Sequence, residues 1–294
     1  MRGMRIALAA LLFWPSLGGA QPVDPDQVLQ ALDREGQVML PKAQVIVRKY
    51  DYVVGKDTVE AIAFRPAAEG RYPGLVLIPG YSRTARDYLP AGIRFAREGF
   101  AAVAITQRGF GRSEGKPDYV GPKTMAGIEA GFRRFRRENY VDSTRMGVFG
   151  YSRGAMAASL LAVRVAPAEL RAAVFGAGIY DFKKAHDDVG ILGIRKNMEK
   201  EAGLSEKAVR ERSSVFRMEQ LACPVLILHG EKDENVPVSQ AYLLRDRLTE
   251  LQKTFEIRTF PEAGHDMQGA NVNDVALAFF RRELASGTNG AKTP

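Results

Sequence analysis

The chain is poor in the residues that cross-link or chelate. A single cysteine in 294 residues, Cys223, rules out an intramolecular disulfide. It precedes the apolar run "PVLILHG", with no histidine or basic residue near it in sequence, so it reads as a small buried hydrophobe and not as a reactive thiol. Three histidines, none paired at ligand spacing, argue against a metal site. Long apolar runs are missing too, since the block "IALAALLFW" is too short to span a bilayer. The charge is +8, from 42 basic and 34 acidic residues, yet no block of five like charges occurs. The densest basic run, "FRRFRREN", puts Phe132 and Phe135 on one helical face and arginines on the other. That pattern is a solvated face, and no nucleic-acid partner is expected. In "RGFGRSEG", Gly109, Gly111 and Gly115 miss the G-x-G-x-x-G spacing of a phosphate-binding turn, and no cofactor is expected.

What is present begins with a segment unlike the rest. "MRGMR" is basic, "IALAALLFW" is apolar and "PSLGGA" ends in small residues. This order reads as a secretory signal peptide over residues 1–20, cleaved after Ala20. Its loss removes Arg2 and Arg5 and leaves 40 basic against 34 acidic residues, a balance of +6. No cysteine follows the block to carry a lipid, so the expected product is periplasmic or secreted, with no stable membrane anchor.

From residue 44 onward, short β-like runs alternate with helical stretches. "QVIVRKYDYVV" and "TVEAIAF" flank "GKD" as an antiparallel hairpin, followed by "GLVLI", "AAVAIT", "RMGVFG", "AAVFG", "PVLILHG" and "TFEIRTF". Helices are expected over "PAGIRFAREG", "TMAGIEAGFRRFRRE", "AMAASLLAVRVA", "PVSQAYLLRDRLTE" and "NVNDVALAFFRREL". Such alternation predicts an α/β fold: about eight strands, mostly parallel, with helices on both faces. One domain is expected over 21–284, with residues 178–224 as a short helical cap insertion and 285–294 as a flexible tail.

The chemistry centres on "GVFGYSRGA". An apolar strand, a tight turn and a helix surround Ser152 in the context that G-x-S-x-G requires, and Gly150 and Gly154 permit the close approach of strand and helix. The competing reading is a helix N-cap serine. A serine hydroxyl needs a base to take its proton. His186 lies in the inserted segment and His229 ends a strand, whereas His265 sits in the turn-rich "PEAGHDM" beyond the last strand and can swing over the sheet edge. Asp233, in "HGEKDENVP", supplies the acid that holds the imidazole tautomer. The amide of Arg153 faces any developing oxyanion at the helix N-terminus, and Tyr81, after Gly80 in "LIPGYS", is expected to give the second amide. Arg83, Arg86, Arg112 and Arg153 fall near the same edge. Each pairs with a carboxylate or faces water, or else one or two of them, Arg83 and Arg86 in particular, receive an anionic substrate group.

Across nearly the whole mature chain these residues resemble the α/β-hydrolase superfamily. "TQRGFGRSEG", "GVFGYSRGA", "CPVLILHGEKDENVP" and "FPEAGHDM" are similar to the prolyl oligopeptidase catalytic domain and to dienelactone hydrolase-like serine esterases. The resemblance implies Ser152 as nucleophile, Asp233 as acid, His265 as base and the Tyr81 and Arg153 amides as oxyanion hole. The residues before 70 are too few for the β-propeller of prolyl oligopeptidases, and dienelactone hydrolases proper carry cysteine where this chain has Ser152. Three functions compete: an exported esterase working through an acyl-enzyme, a peptidase using the same residues, and a non-catalytic binding protein on the same fold. The expected substrate is a small-molecule ester or a short peptide.

Overall fold

The computed structural model describes residues 24–285, so the expected signal peptide and residues 286–294 of the expected tail lie outside the described residues. Helix α1 (Pro25–Glu35) opens the structure, followed by strands β1 (Gln37–Leu40), β2 (Val45–Lys49), β3 (Tyr52–Val54), β4 (Asp57–Val59), β5 (Ala61–Pro66) and β6 (Tyr72–Ile78). Then come α2 (Leu89–Arg97), β7 (Ala101–Ile105), α3 (Pro122–Phe135), β8 (Val141–Tyr151), α4 (Arg153–Ala162) and β9 (Ala172–Gly176). Three short helices, α5 (Phe182–Asp188), α6 (Leu192–Glu201) and α7 (Glu206–Arg212), precede β10 (Val225–Gly230), α8 (Ser239–Glu250), β11 (Phe255–Phe260) and α9 (Val272–Glu283). Among the described residues, no helix is long and apolar enough to cross a membrane.

Nine strands form one sheet in the order β1-β2-β5-β7-β6-β8-β9-β10-β11, antiparallel up to the β5–β7 pair and parallel from β7 onward. The apolar runs work because alternate residues serve opposite faces. In β6, Val76 and Ile78 join the core shared with Phe132 of α3, Leu160 of α4 and Leu244 of α8. Leu75 and Leu77 face the other way, into the core of Leu32, Phe95 and Phe280 from α1, α2 and α9. Each such side chain, fully buried, contributes roughly 1.5–3 kcal/mol of hydrophobic stabilisation.

Two details refine the expected architecture. The expected hairpin divides: β2 pairs with β5, while β3 and β4 form a separate two-stranded ribbon. The ladder breaks at Asp51, whose carboxylate takes the N–H of Ala61 at 3.0 Å, and the ribbon then packs on α3 through the Tyr52 hydroxyl, which donates to the Gly127 carbonyl at 2.8 Å. Strand β1 brings the sheet to nine. It follows α1, a helix capped by the Asp24 side chain on the N–H of Asp26 and ended by Gly36 at φ 73°. Residues 24–40 had no assigned structure at the level of sequence.

From β6 the chain steps to β7 on one side and then crosses to β8 on the other. The carboxyl ends of β6 and β8 therefore flank a topological switch point, where open α/β sheets form their clefts.

Candidate active site

Strand β8 runs into Ser152, which sits at φ 55°, ψ −123°, and α4 starts at the next residue. A non-glycine residue in this region is strained, and the surrounding contacts hold it there. The N–H of Ser152 donates to Gly176 O at 2.7 Å, tying the turn to the end of β9. A Cβ at Gly150 would meet the Gly154 carbonyl, and a Cβ at Gly154 would strike the carbonyl of Ile78. Both glycines are therefore required by contact. Ser152 caps no helical N–H, so its hydroxyl is free for other partners.

That hydroxyl lies 2.8 Å from His265 Nε2, and His265 Nδ1 lies 2.8 Å from Asp233 Oδ2. Three side chains distant in sequence meet at one sheet edge because they follow β8, β10 and β11, parallel strands of the same sheet, with β9 between the first two. The loops after β10 and β11 run against each other, with the Lys232 N–H on Ala263 O at 3.0 Å. A Cβ at Gly230 would collide with the carbonyls of Ala263 and Gly264, so the glycine ending β10 lets the two loops touch. The Tyr151 hydroxyl donates to the backbone carbonyl of His265, and the two rings meet edge-on at 6.0 Å.

Asp233 is buried, and its Oδ1 accepts the N–H groups of Asn235 (2.9 Å) and Val236 (2.8 Å). Its Oδ2 faces a second imidazole as well, His229 Nε2 at 3.2 Å. Burial alone would raise the Asp233 pKa. Hydrogen bonds from His229, His265 and the Val236 amide outweigh it and hold the carboxyl at about 2. Burial pushes the Tyr151 phenol well above its ordinary value, keeping it a donor at neutral pH.

Beside the hydroxyl runs the segment after β6. A Cβ at Gly80 would lie 3.2 Å from Ser152 Cβ, and Gln107 Nε2 fixes Pro79 O at 2.6 Å. Tyr81 follows, its N–H bound to no acceptor among the described residues. As the first residue of α4, Arg153 has an N–H with no intrahelical partner. Two unpaired amides thus follow directly on Gly80 and Ser152, which pack against each other.

The arginines are occupied by the protein itself. Arg83 pairs with Asp87 at 3.0 Å, Arg86 with Asp33 and with buried Glu60 at 3.0 Å, and Arg112 with Asp33 at 2.7 Å. Of the two alternatives read from the sequence for Arg83 and Arg86, carboxylate pairing is the one these contacts match. Arg153 is 4% exposed, paired with Glu201 at the end of α6 and stacked 4.2 Å from the Tyr119 ring centroid, with Phe110 at 5.3 Å and Tyr81 at 5.6 Å. Sequence reasoning missed Glu201, Tyr119, Gln107 and the contact of His229 with Asp233. Only His229 carried a signal, four residues before Asp233. Cys223 is buried, its thiol pushed up to about 12 by desolvation, in keeping with a packing role. Among the described residues, no cluster of histidine, cysteine and carboxylate side chains could hold a metal ion.

Residues 94–286 match the prolyl oligopeptidase family. An uncharacterized peptidase of Bacillus subtilis (strain 168), YtmA, is 30% identical over 67% of this chain and 77% of its own length. A second uncharacterized peptidase of that strain, YuxL, is 26% identical over 69% of this chain, which covers 33% of YuxL. Among solved structures, an acylaminoacyl peptidase of Pyrococcus horikoshii superposes with a TM-score of 0.73 and 18% identity, over 84% of this chain but 43% of that one. An acetyl xylan esterase from Paenibacillus sp. R4 superposes with a TM-score of 0.71 and 17% identity, over 88% of this chain and 93% of the esterase. The fold is that of the α/β-hydrolase superfamily, and the chain belongs to the prolyl oligopeptidase family.

Proposed function

We propose that this protein is a serine hydrolase that cleaves carboxylic esters through an acyl-enzyme. The observation that carries the reading is the continuous hydrogen-bonded chain from Ser152 Oγ through both nitrogens of His265 to Asp233 Oδ2, each link 2.8 Å long. Ser152 Oγ attacks the carbonyl carbon as its proton passes to His265 Nε2. The tetrahedral oxyanion is held by the amides of Arg153 and Tyr81. Collapse breaks the bond to the alcohol oxygen, which takes the proton from His265. Water, deprotonated by the same imidazole, then releases the acid and restores the serine. Asp233, ionised throughout, balances the imidazolium.

A second reading is peptide hydrolysis with the same groups. It is favoured by the family and by the peptidase names of the two Bacillus relatives. The ester reading takes support from the acetyl xylan esterase, whose chain is matched almost end to end, whereas the acylaminoacyl peptidase is matched over less than half. We take residues 178–224 as a cap over the site and residues 1–20 as an export signal. Secretion of the full-length chain from a bacterial host, with a new N-terminus at Gln21, tests the latter.

The deciding experiment compares the parent with Ser152→Ala. The parent should turn over a short-chain aryl ester and be labelled by a fluorophosphonate at Ser152. The variant should do neither, with its thermal melt nearly unchanged. Retained turnover overturns the assignment. Matched aminoacyl esters and amides separate the two substrate classes, and faster cleavage of the amides would favour the peptidase.

A further inference from the structure

His229 is fully buried, yet it is not a packing residue in an apolar setting. Its Nε2 lies 2.8 Å from Val236 O and 3.2 Å from Asp233 Oδ2, while its Nδ1 has no partner among the described residues. Both acceptors sit at Nε2. The ring therefore carries its proton there and leaves Nδ1 bare, because a buried N–H on that side would find no acceptor.

The consequence falls on Asp233. Its Oδ1 is filled by two backbone N–H groups, and Oδ2 stands between two imidazoles, His265 on the side of Ser152 and His229 on the side of the core. Resting on the reading of Ser152, His265 and Asp233 as a catalytic set, we propose that His229 is a positioning residue: its Nε2–H fixes the carboxylate plane and disperses part of the Oδ2 charge that His265 would otherwise receive. Tyr151 at the end of β8 also feels the Asp233 charge, along with those of Tyr88 and Asp266. No further charged side chain hydrogen-bonds to Asp233 among the described residues.

The placement has a physical logic. A carboxylate with one imidazole partner can rotate about its Cβ–Cγ bond and present either oxygen. Two backbone donors on Oδ1 and an imidazole wedged behind Oδ2 leave one orientation, the one aimed at His265 Nδ1. The wedge is rigid because β10 itself carries it.

The test uses three variants of the full-length protein. His229→Phe fills the volume without a donor. His229→Gln places an amide N–H near the site of the ring Nε2, and His229→Asn places one too short to reach. For the Phe and Asn variants, kcat/KM on a short-chain aryl ester should fall by about ten- to a hundredfold with KM little changed. The acid limb of the pH–rate profile should move upward by on the order of half a unit to one unit, since more negative charge on Oδ2 favours the imidazolium of His265. His229→Gln should return the limb toward the parent. A limb that stays in place in both the Phe and Asn variants, with activity lost only in proportion to the unfolded fraction by circular dichroism, overturns the proposal. A second readout needs no turnover: in a Ser152→Ala background, the low-field proton of the His265–Asp233 hydrogen bond should shift in the Asn variant and not in the Gln variant. An unchanged proton in both sinks the positioning role even if the enzyme is active. A shifted proton in a protein that hydrolyses nothing would keep the positioning role and discard the proposed reaction.

Discussion

Replacing Gly154 by alanine tests the packing that exposes Ser152. The added methyl would fall on the carbonyl oxygen of Ile78 and lie 2.7 Å from that of Pro79. Ordinary van der Waals separation is about 3.5 Å, so α4 must back away from the end of β6 by roughly 1.5 Å. Overpacking of this kind costs about 1–3 kcal/mol, and the upper end applies because the obstacle is backbone. At about 2–4 °C per kcal/mol for a chain of this size, the variant should melt roughly 5–10 °C below the parent. Ile78 and Pro79 lead directly into Tyr81, so the same displacement moves its amide relative to Ser152. A misplacement of about 1 Å costs on the order of a hundredfold in turnover. Differential scanning fluorimetry and kcat/KM on an aryl ester measure the two effects together. Gly193→Ala serves as control, since a Cβ in that turn of α6 meets nothing within 4 Å. A Gly154→Ala protein that melts within about a degree of the parent and turns over normally would refute the claim that close approach requires this glycine.

Three further outcomes follow from contacts around the site. Glu201→Ala removes the carboxylate from a buried pair and strands the Arg153 guanidinium among Tyr119, Phe110 and Tyr81. Urea unfolding should report a loss of about 3–5 kcal/mol, and a loss below about 1 kcal/mol would mean that the aromatic rings suffice. Asp233 ionises at about 2 in the fold, below the ordinary value of 3.8, so its contribution to stability is full above pH 4 and lost as pH falls through 2. The stability gap between the parent and Asp233→Asn should therefore narrow over that window, and a gap constant with pH would contradict it. Tyr151→Phe deletes the hydroxyl that holds the His265 carbonyl. It should lower kcat by about tenfold at nearly constant KM while costing about 1 kcal/mol of stability; a rise in KM alone would place Tyr151 with substrate instead.

Local signals carried most of the architecture. The strand, turn and helix around Ser152 could be read because Gly150 and Gly154 bracket it and the flanking runs are unambiguous in period. The β10 and β11 loops could be aligned to one edge because a helix and a strand separate Asp233 from His265. Partners across the fold were hidden. The particular partners of Arg83 and Arg86 could not be named, because Asp33 and Glu60, which pair with Arg86, lie far back in the chain, and Asp87 reads as an ordinary loop charge. Glu201 sits in a helix rich in charge, where the short apolar face of Ile194 and Met198 does not distinguish the one carboxylate turned inward. The antiparallel hairpin was legible from "GKD", but its break at Asp51 was not, because that is decided by Ala61, ten residues on. Helix α1 does carry a local signal, since Asp24, Pro25 and Gly36 are standard start and stop residues.

That first helix has a bearing on how the protein should be handled. Its Asp33 clasps Arg86 and Arg112, which follow the loops carrying Tyr81 and Phe110. The amino-terminal arm thus ties down the segments that follow β6 and β7, although it precedes the sheet. Anyone trimming the gene to a tidier hydrolase body that starts at β2 would take the Asp33 carboxylate from both arginines and leave Arg86 with Glu60 alone. Such a truncate would be a poor stand-in for the native catalyst, however well it folded.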